Sequence, residues 1–153
     1  MIRHILCFDP GKTTGFALFC EGKLERAKEL QSLAELVAAF TDAAFLRTRG
    51  EEIVCVYEGF ARGNVGVKDQ LQTIEVCGAI RALCHLYGFV CVEQMPAVRT
   101  GYIPIAKQMI KDKVYGVLRE YHHSIDAIAH GLTYMEKEGI EWDKEFWISK
   151  VIR

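Results

Sequence analysis

The stretch from Ile5 to Phe19, ILCFDPGKTTGFALF, consists of two apolar runs separated by the turn DPGKTTG. Apolar runs on either side of a turn rich in glycine, proline and aspartate are typical of two strands that pair as a hairpin. Asp9 therefore has two interpretations, and the rest of the chain has to decide between them. It is a turn-forming residue, or it is a carboxylate that the end of a buried strand presents to a metal ion.

Length and composition favour a single domain that spans residues 1–153. Of the 153 residues, 50% are hydrophobic and 25% are charged, which suffices for one buried core and is too little for two ordinary domains. The net charge of −1 lacks the positive excess that is typical of nucleic-acid-binding proteins, so such a partner would need a local basic patch. The six cysteines form no CxxC pair, and the first residues resemble neither a signal peptide nor a membrane span. We therefore expect a reduced, cytoplasmic protein.

Hydrophobic periodicity and turn residues predict five strands and four helices. The predicted strands are residues 3–8, 15–20, 23–28, 53–57 and 89–93. The first predicted helix begins at a capping box formed by Ser32 and Glu35 and ends near Gly50. The other predicted helices are Val67–Tyr87, 104–120 and 124–138. Three consecutive strands followed by alternating helices and strands indicate an α/β fold that begins with an antiparallel meander.

Two apolar strands end in carboxylates, at Asp9 and at Glu58. A carboxylate at the end of a buried strand is costly unless it is hydrogen-bonded or bound to a metal, although a turn or a solvated strand end would also explain each one alone. A third acidic residue, Asp126, lies in YHHSIDAIAHGL, where helical spacing puts it on the same face as His123. Three such positions together favour a metal site.

The segments FDPGKTTGFAL, VYEGF and HSIDAIAHGL, in this order, resemble the RuvC family of Holliday junction resolvases, of bacteria or their phages, within the RNase H-like superfamily. The resemblance implies an RNase H-like fold, with a central mixed five-stranded sheet whose first three strands are antiparallel and whose later strands are parallel. It assigns the catalytic, metal-binding positions to Asp9, Glu58 and Asp126. His123 stands where the family more often has an aspartate, with His122 as an adjacent alternative, and imidazole suits Mn²⁺ better than Mg²⁺.

The activity that the resemblance implies is resolution of four-way DNA junctions by two symmetric nicks. A homodimer would make both nicks, and two Mg²⁺ or Mn²⁺ ions in each site would hydrolyse the phosphodiester to a 5′ phosphate and a 3′ hydroxyl. Lys107 or Lys111 is a candidate to stabilise the transition state, although a solvated helix face explains both lysines equally well.

DNA contacts are predicted on the glycine-rich loop after Glu58 and on a basic strip between residues 95 and 119. This strip contains five basic residues and one acidic residue. The predicted DNA-binding residues are Phe60, Arg62, Asn64, Lys68, Arg99, Lys107 and Lys111. Phe60 is the candidate wedge between bases, with a core position as the alternative. The acidic, aromatic tail at about 139–153 either covers the core or extends a dimer contact.

Three other functions fit parts of the pattern. An actin-like ATPase also begins with a strand, an aspartate and a glycine-rich hairpin, but it needs two duplicated domains. A less selective branched-DNA nuclease or a YqgF-like RNA-processing nuclease would have the same carboxylates. A non-catalytic junction-binding module is disfavoured, because an idle site has no reason to keep three carboxylates that repel one another.

Overall fold

The computed structural model describes residues 2–47, 51–60, 66–113 and 121–152, and at residues 2 and 3 the backbone alone. Within these ranges the strands are β1 (Ile2–Asp9), β2 (Thr14–Cys20), β3 (Lys23–Leu30), β4 (Glu52–Glu58) and β5 (Val90–Gln94). They form one sheet in the order β3-β2-β1-β4-β5. The pairs β1/β2 and β2/β3 are antiparallel, whereas β1/β4 and β4/β5 are parallel. The predicted mixed five-stranded sheet is confirmed, with β1 at its centre.

The helices in the same ranges are α1 (Leu33–Leu46), α2 (Val67–Tyr87), α3 (Ile103–Lys113), α4 (His122–Glu138) and α5 (Lys144–Ile152), with a 3₁₀ segment at Pro96–Tyr102. Ser32 caps α1 as predicted, since its Oγ accepts a hydrogen bond of 3.2 Å from the Glu35 N–H. Helix α1 ends at Leu46, earlier than predicted, and residues 114–120 of the third predicted helix lie outside the described residues. None of the described helices is both long enough and apolar enough to span a lipid bilayer.

Helices cover both faces of the sheet, which explains why the central strands are apolar at successive positions. Along β1, Ile5 and Cys7 pack with α3 and α4, whereas Leu6 and Phe8 pack with α1 and α2. Strands that are buried on both faces have no solvent-facing side and read as continuous apolar runs. The apolar stretch before Asp9 therefore marks the centre of the sheet.

Helix α4 lies unusually close to the sheet because its inner face carries small residues. Ala127 and Ala129 are fully buried, and Gly131 lies directly over β1 and β2. A Cβ at Gly131 would be 2.6 Å from Cys7 Sγ and 2.6 Å from the Phe19 ring, which is closer than real Cβ atoms approach. The close approach allows side chains of α4 to reach the strand ends.

The C-terminal residues pack against the face of the core that α3 and α4 form. Trp142, Trp147 and Ile148 contact this core, and Lys150 of α5 forms an ion pair with Asp112 of α3. Of the two roles considered for the tail, covering the core is therefore the one that the packing shows.

We expect Gly131→Ala to lower the free energy of unfolding by about 1–3 kcal/mol, because the added methyl group overpacks the contact between α4 and the sheet. Gly101→Ala is the control, since a Cβ there would meet no atom within 4 Å. Its effect should stay within about 0.5 kcal/mol. Urea denaturation followed by circular dichroism measures both variants, and equal losses would contradict the close packing of α4.

Candidate active site

A row of residues crosses the sheet at the edge where β1 and β4 both end. Asp9 and Glu58 are the last residues of these two parallel neighbours. Asp9 pairs with Gly15 of β2, which in turn pairs with Glu29 of β3. Glu58 pairs with Gln94 of β5. The carboxyl ends of parallel strands are where ligand crevices form in open α/β sheets, so this row is the candidate site.

Gly15 leaves a gap in the row, and the first turn of α4 occupies it. A Cβ at Gly15 would overlap the carbonyl group of His123 and would lie 2.6 Å from the Ser124 backbone nitrogen. Any side chain larger than hydrogen would therefore push the helix away from β2. The glycine that reads as a strand residue in the sequence is what brings α4 down onto the sheet.

Glu29 binds the N-terminus of α4 from the β3 side of this gap. Its Oε1 accepts hydrogen bonds from the backbone N–H groups of His123, at 2.8 Å, and of Ser124, at 3.2 Å. The N-cap residue of α4, Tyr121, makes no side-chain capping bond, so Glu29 satisfies groups that a local cap would ordinarily satisfy. Burial raises the pKa of Glu29, while the bond from Ser124 opposes the rise.

Asp9 binds the same turn from the β1 side. Its Oδ2 lies 2.7 Å from His123 Nδ1, so His123, and not its neighbour His122, makes the hydrogen bond to this carboxylate. Asp9 is only 7% exposed. Burial raises its pKa, the His123 bond opposes this, and the negative charges of Glu58 and Asp126 add to the rise. The bond to Asp9 raises the pKa of His123 in turn. Burial is thus the main cause of the raised pKa of Asp9, and repulsion from the two other carboxylates contributes to it.

Glu58 is held by a fully buried histidine of α4. His130 Nε2 lies 2.8 Å from Glu58 Oε2, and His130 Nδ1 lies 2.7 Å from Gln94 Oε1. The sequence analysis did not single out His130 as part of the site. The available signal was its spacing, because His130 follows His123 by seven residues and therefore lies on the same face of the helix.

Arg99, in the 3₁₀ segment, lies between Glu58 and Asp126. Its Nη1 forms an ion pair with Glu58 Oε2, and its Nε lies 3.2 Å from Asp126 Oδ1. Nη1 also donates a 2.8 Å hydrogen bond to the Pro96 carbonyl. Asp126 thus lies at the same sheet edge as Asp9 and Glu58, where all four predicted catalytic residues meet. Arg99 was predicted as a DNA contact, and its position among the carboxylates was not foreseen.

The other predicted DNA-binding residues lie around this cluster or outside the described ranges. Lys107 lines a cavity of about 490 Å³ together with Arg99 and Asp126. Half-buried Phe60 lines a second cavity, of about 200 Å³, together with Glu58. Two more of the residues, Lys68 on α2 and Lys111 on α3, are exposed. Two others, Arg62 and Asn64, lie outside the described residues.

The side chains of the candidate site carry the types of atom that bind divalent cations. Asp9, Glu58 and Asp126 supply the hard oxygens that Mg²⁺ and Mn²⁺ prefer, and His123 supplies an imidazole nitrogen, which suits Mn²⁺. The repulsion that Glu58 and Asp126 exert on Asp9 also favours a cation. Among the described residues, however, no three histidine, cysteine or acidic side chains converge as metal ligands. In this arrangement, the positive charge between Glu58 and Asp126 is the Arg99 guanidinium.

Comparisons with known proteins support the fold. No family model and no curated protein sequence matches the chain. The structure of T. thermophilus RuvC in complex with Holliday junction substrate matches with a TM-score of 0.61 at 16% identity, over 90% of this chain and 97% of that chain. A Thermus thermophilus RuvC structure matches with a TM-score of 0.57 at the same identity and coverage. The chain therefore has an RNase H-like α/β fold.

We expect Glu29→Ala to lower the free energy of unfolding by about 1–3 kcal/mol, because two backbone N–H groups of α4 lose a charged acceptor. Glu25→Ala is the control, since Glu25 lies exposed on the same strand, and its effect should stay within about 0.5 kcal/mol. Urea denaturation measures the loss, and the ¹H–¹⁵N spectrum should show the largest shifts at His123 and Ser124. Similar losses in both variants would mean that Glu29 does not hold the helix.

Proposed function

We propose that the chain is a metal-dependent endonuclease that cuts branched DNA, and that its preferred substrate is the four-way Holliday junction. The observation that carries this proposal is that Asp9, Glu58 and Asp126 lie at one sheet edge. The charges of Glu58 and Asp126 contribute to the raised pKa of Asp9. Carboxylates that repel one another are costly to hold together without a cation. The fold is shared with a protein that was solved with a Holliday junction substrate, which favours branched DNA. Such DNA would be met in the cytoplasm of a bacterium or a phage-infected host.

The chemistry we propose is hydrolysis of a phosphodiester to a 5′ phosphate and a 3′ hydroxyl. Two bound Mg²⁺ or Mn²⁺ ions would lower the pKa of a water and neutralise charge on the phosphate, and their ligands would be Asp9, Glu58, His123 and Asp126. The hydrogen bond to Asp9 fixes the His123 ring through Nδ1, which leaves Nε2 to bind a ligand. His130 fixes the Glu58 carboxylate in the same manner. Both bonds reduce the reorganisation that substrate binding would otherwise require.

The cavity beside Asp126 is the proposed path for the cut strand. Arg99 and Lys107 line it, and basic side chains at this place suit the phosphates on either side of the scissile bond. Lys111, one turn further along α3, would extend the same basic strip. Phe60, which lines a second cavity with Glu58, is proposed to stack on a base that the branch point leaves unpaired.

We expect Asp9→Asn to reduce the cleavage rate by at least about 100-fold, because the replacement removes a charge from the proposed metal ligands. The purified protein should be incubated with labelled four-way junction, forked and linear duplex DNA, in Mg²⁺, in Mn²⁺ and in chelator. Paired symmetric nicks on the junction alone, lost in chelator and in Asp9→Asn, are the expected result. The control is Asp42→Asn, which removes an exposed carboxylate of α1 and should retain activity.

The alternatives give different results in the same assay. Equal cutting of all three DNAs would identify a less selective branched-DNA nuclease. Cutting of structured RNA in place of DNA would favour a YqgF-like RNA-processing enzyme. Junction binding without cleavage in either metal would leave only the non-catalytic module.

We also propose that the protein acts as a homodimer through α2. Val67, Leu71 and Ile74 recur at helical spacing on this helix, and all three are exposed large apolar residues. A two-fold dimer would present two sites to two opposed strands of a junction, which paired nicks require.

We expect Leu71→Glu to convert the dimer to a monomer, because a charge at the centre of this apolar stripe would be buried without a partner. Phe45→Glu is the control, since Phe45 is as exposed but lies on α1. Sedimentation velocity measures the oligomeric state, and the junction assay should show paired nicks becoming independent single nicks in Leu71→Glu. A monomeric unaltered protein, or a dimer that both variants retain, would contradict the α2 interface.

A further inference from the structure

The position of Arg99 is fixed by more than its charge. The Pro96 carbonyl accepts a hydrogen bond from its Nη1, and Thr133 Oγ1 of α4 donates a 3.2 Å hydrogen bond to the carbonyl of Val98. The Thr133 bond ties the 3₁₀ segment to α4, and the Pro96 bond holds the guanidinium against its own segment, so both bonds help to place it beside the carboxylates. Its side chain is nevertheless 23% exposed and borders the 490 Å³ cavity, so the group has a path out of the cluster.

Arg99 occupies one oxygen of each of two carboxylates that are proposed metal ligands. Glu58 Oε2 is bound by Arg99 Nη1 and by His130 Nε2 at the same time. A carboxylate oxygen has two lone pairs, so these two bonds leave that oxygen without further capacity. The Asp126 Oδ1 atom is also engaged, through Arg99 Nε. A divalent ion can bind these two oxygens only after the guanidinium has left, and an ion on the second oxygen of either carboxylate would be repelled by the guanidinium charge.

The charges of the cluster make this competition strong. The cluster brings the carboxyl groups of Asp9, Glu58 and Asp126 together, and Arg99 supplies the guanidinium that bridges the last two. Removal of Arg99 without replacement would leave Glu58 and Asp126 without the cation between them, in a largely buried site. A positive group between Glu58 and Asp126, either the guanidinium or a metal ion, therefore stabilises the cluster.

We propose that Arg99 is an internal counter-ion that blocks metal binding in the free protein and that a DNA phosphate, by binding the guanidinium, releases Glu58 and Asp126 for the metal. The inference rests on the proposed function. Arginine forms paired, charge-assisted hydrogen bonds with phosphate as it does with carboxylate. A phosphate can therefore replace the two carboxylates as the hydrogen-bond acceptor of the guanidinium. Because coupling between two ligands is reciprocal, DNA would raise metal affinity and the metal would raise DNA affinity.

The test is the affinity of the DNA-free protein for Mn²⁺, measured from the electron paramagnetic resonance signal of unbound Mn²⁺ and by calorimetry. We expect Arg99→Gln to bind Mn²⁺ about tenfold more tightly than the unaltered protein, because the competing cation is gone. Lys107→Gln is the matched control, since it removes a positive charge that lines the same cavity. It should change Mn²⁺ affinity by less than about threefold, as expected for a screened charge effect.

A second measurement needs no variant that could misfold. In the unaltered protein, the Nε–H of Arg99 gives its own ¹H–¹⁵N resonance, and we expect saturating Mg²⁺ to move it as the bond to Asp126 is lost. Equal Mn²⁺ affinities in the unaltered protein and in Arg99→Gln, or an Arg99 resonance that Mg²⁺ leaves in place while binding, would overturn the inference and leave the nuclease proposal standing. Weaker Mn²⁺ binding in Arg99→Gln would also overturn it. No Mn²⁺ binding by any of the proteins would overturn both proposals.

Discussion

The contact on which the site depends is the seating of the first turn of α4 on β2 at Gly15. Because β2 presents no side chain there, the backbone of His123 lies against the strand, between Glu29 on one side and Asp9 on the other. Helix α4 is thereby bonded to three strands: to β3 through Glu29, to β1 through Asp9, and to β4 through the pair of His130 and Glu58. The geometry of the carboxylates follows from the position of one helix.

This arrangement has a cost in stability that the hydrogen bonds around it offset only in part. Burial raises the pKa of Asp9 even though His123 binds it, so ionising Asp9 in the folded protein is harder than in the unfolded chain. The contribution of this group to stability is therefore present at low pH and is lost as pH rises through its raised pKa. A protein selected for stability alone would place an apolar residue at the end of β1. Retaining a carboxylate in this position agrees with a site whose negative charge is used.

The sequence predicts the residues whose signal is local and misses those whose partners are remote. Asp9 and Glu58 stand out because each ends an apolar run, and helical spacing joins His123 to Asp126. Glu29 gives no such signal: it reads as one more charged residue on a mostly exposed strand, and its partner lies 94 residues further along the chain. Arg99 was recognised by its charge, but its placement depends on a 3₁₀ segment that neither a 3.6 nor a 2.0 residue period reveals.

A net charge of −1 is compatible with the proposed DNA substrate, because Arg99 and Lys107 lie together at one cavity. The carboxylate cluster needs positive charge in the free protein, and a phosphate needs positive charge when it arrives at the same cavity. Arginine meets both needs better than lysine, since its separate Nε and Nη1 donors bind Glu58 and Asp126 at once, whereas an ammonium group is a single point of charge. The basic group that bridges two carboxylates in the free site is thus also one that lines the cavity proposed for the DNA strand. A local placement of this kind leaves no trace in the net charge of the chain.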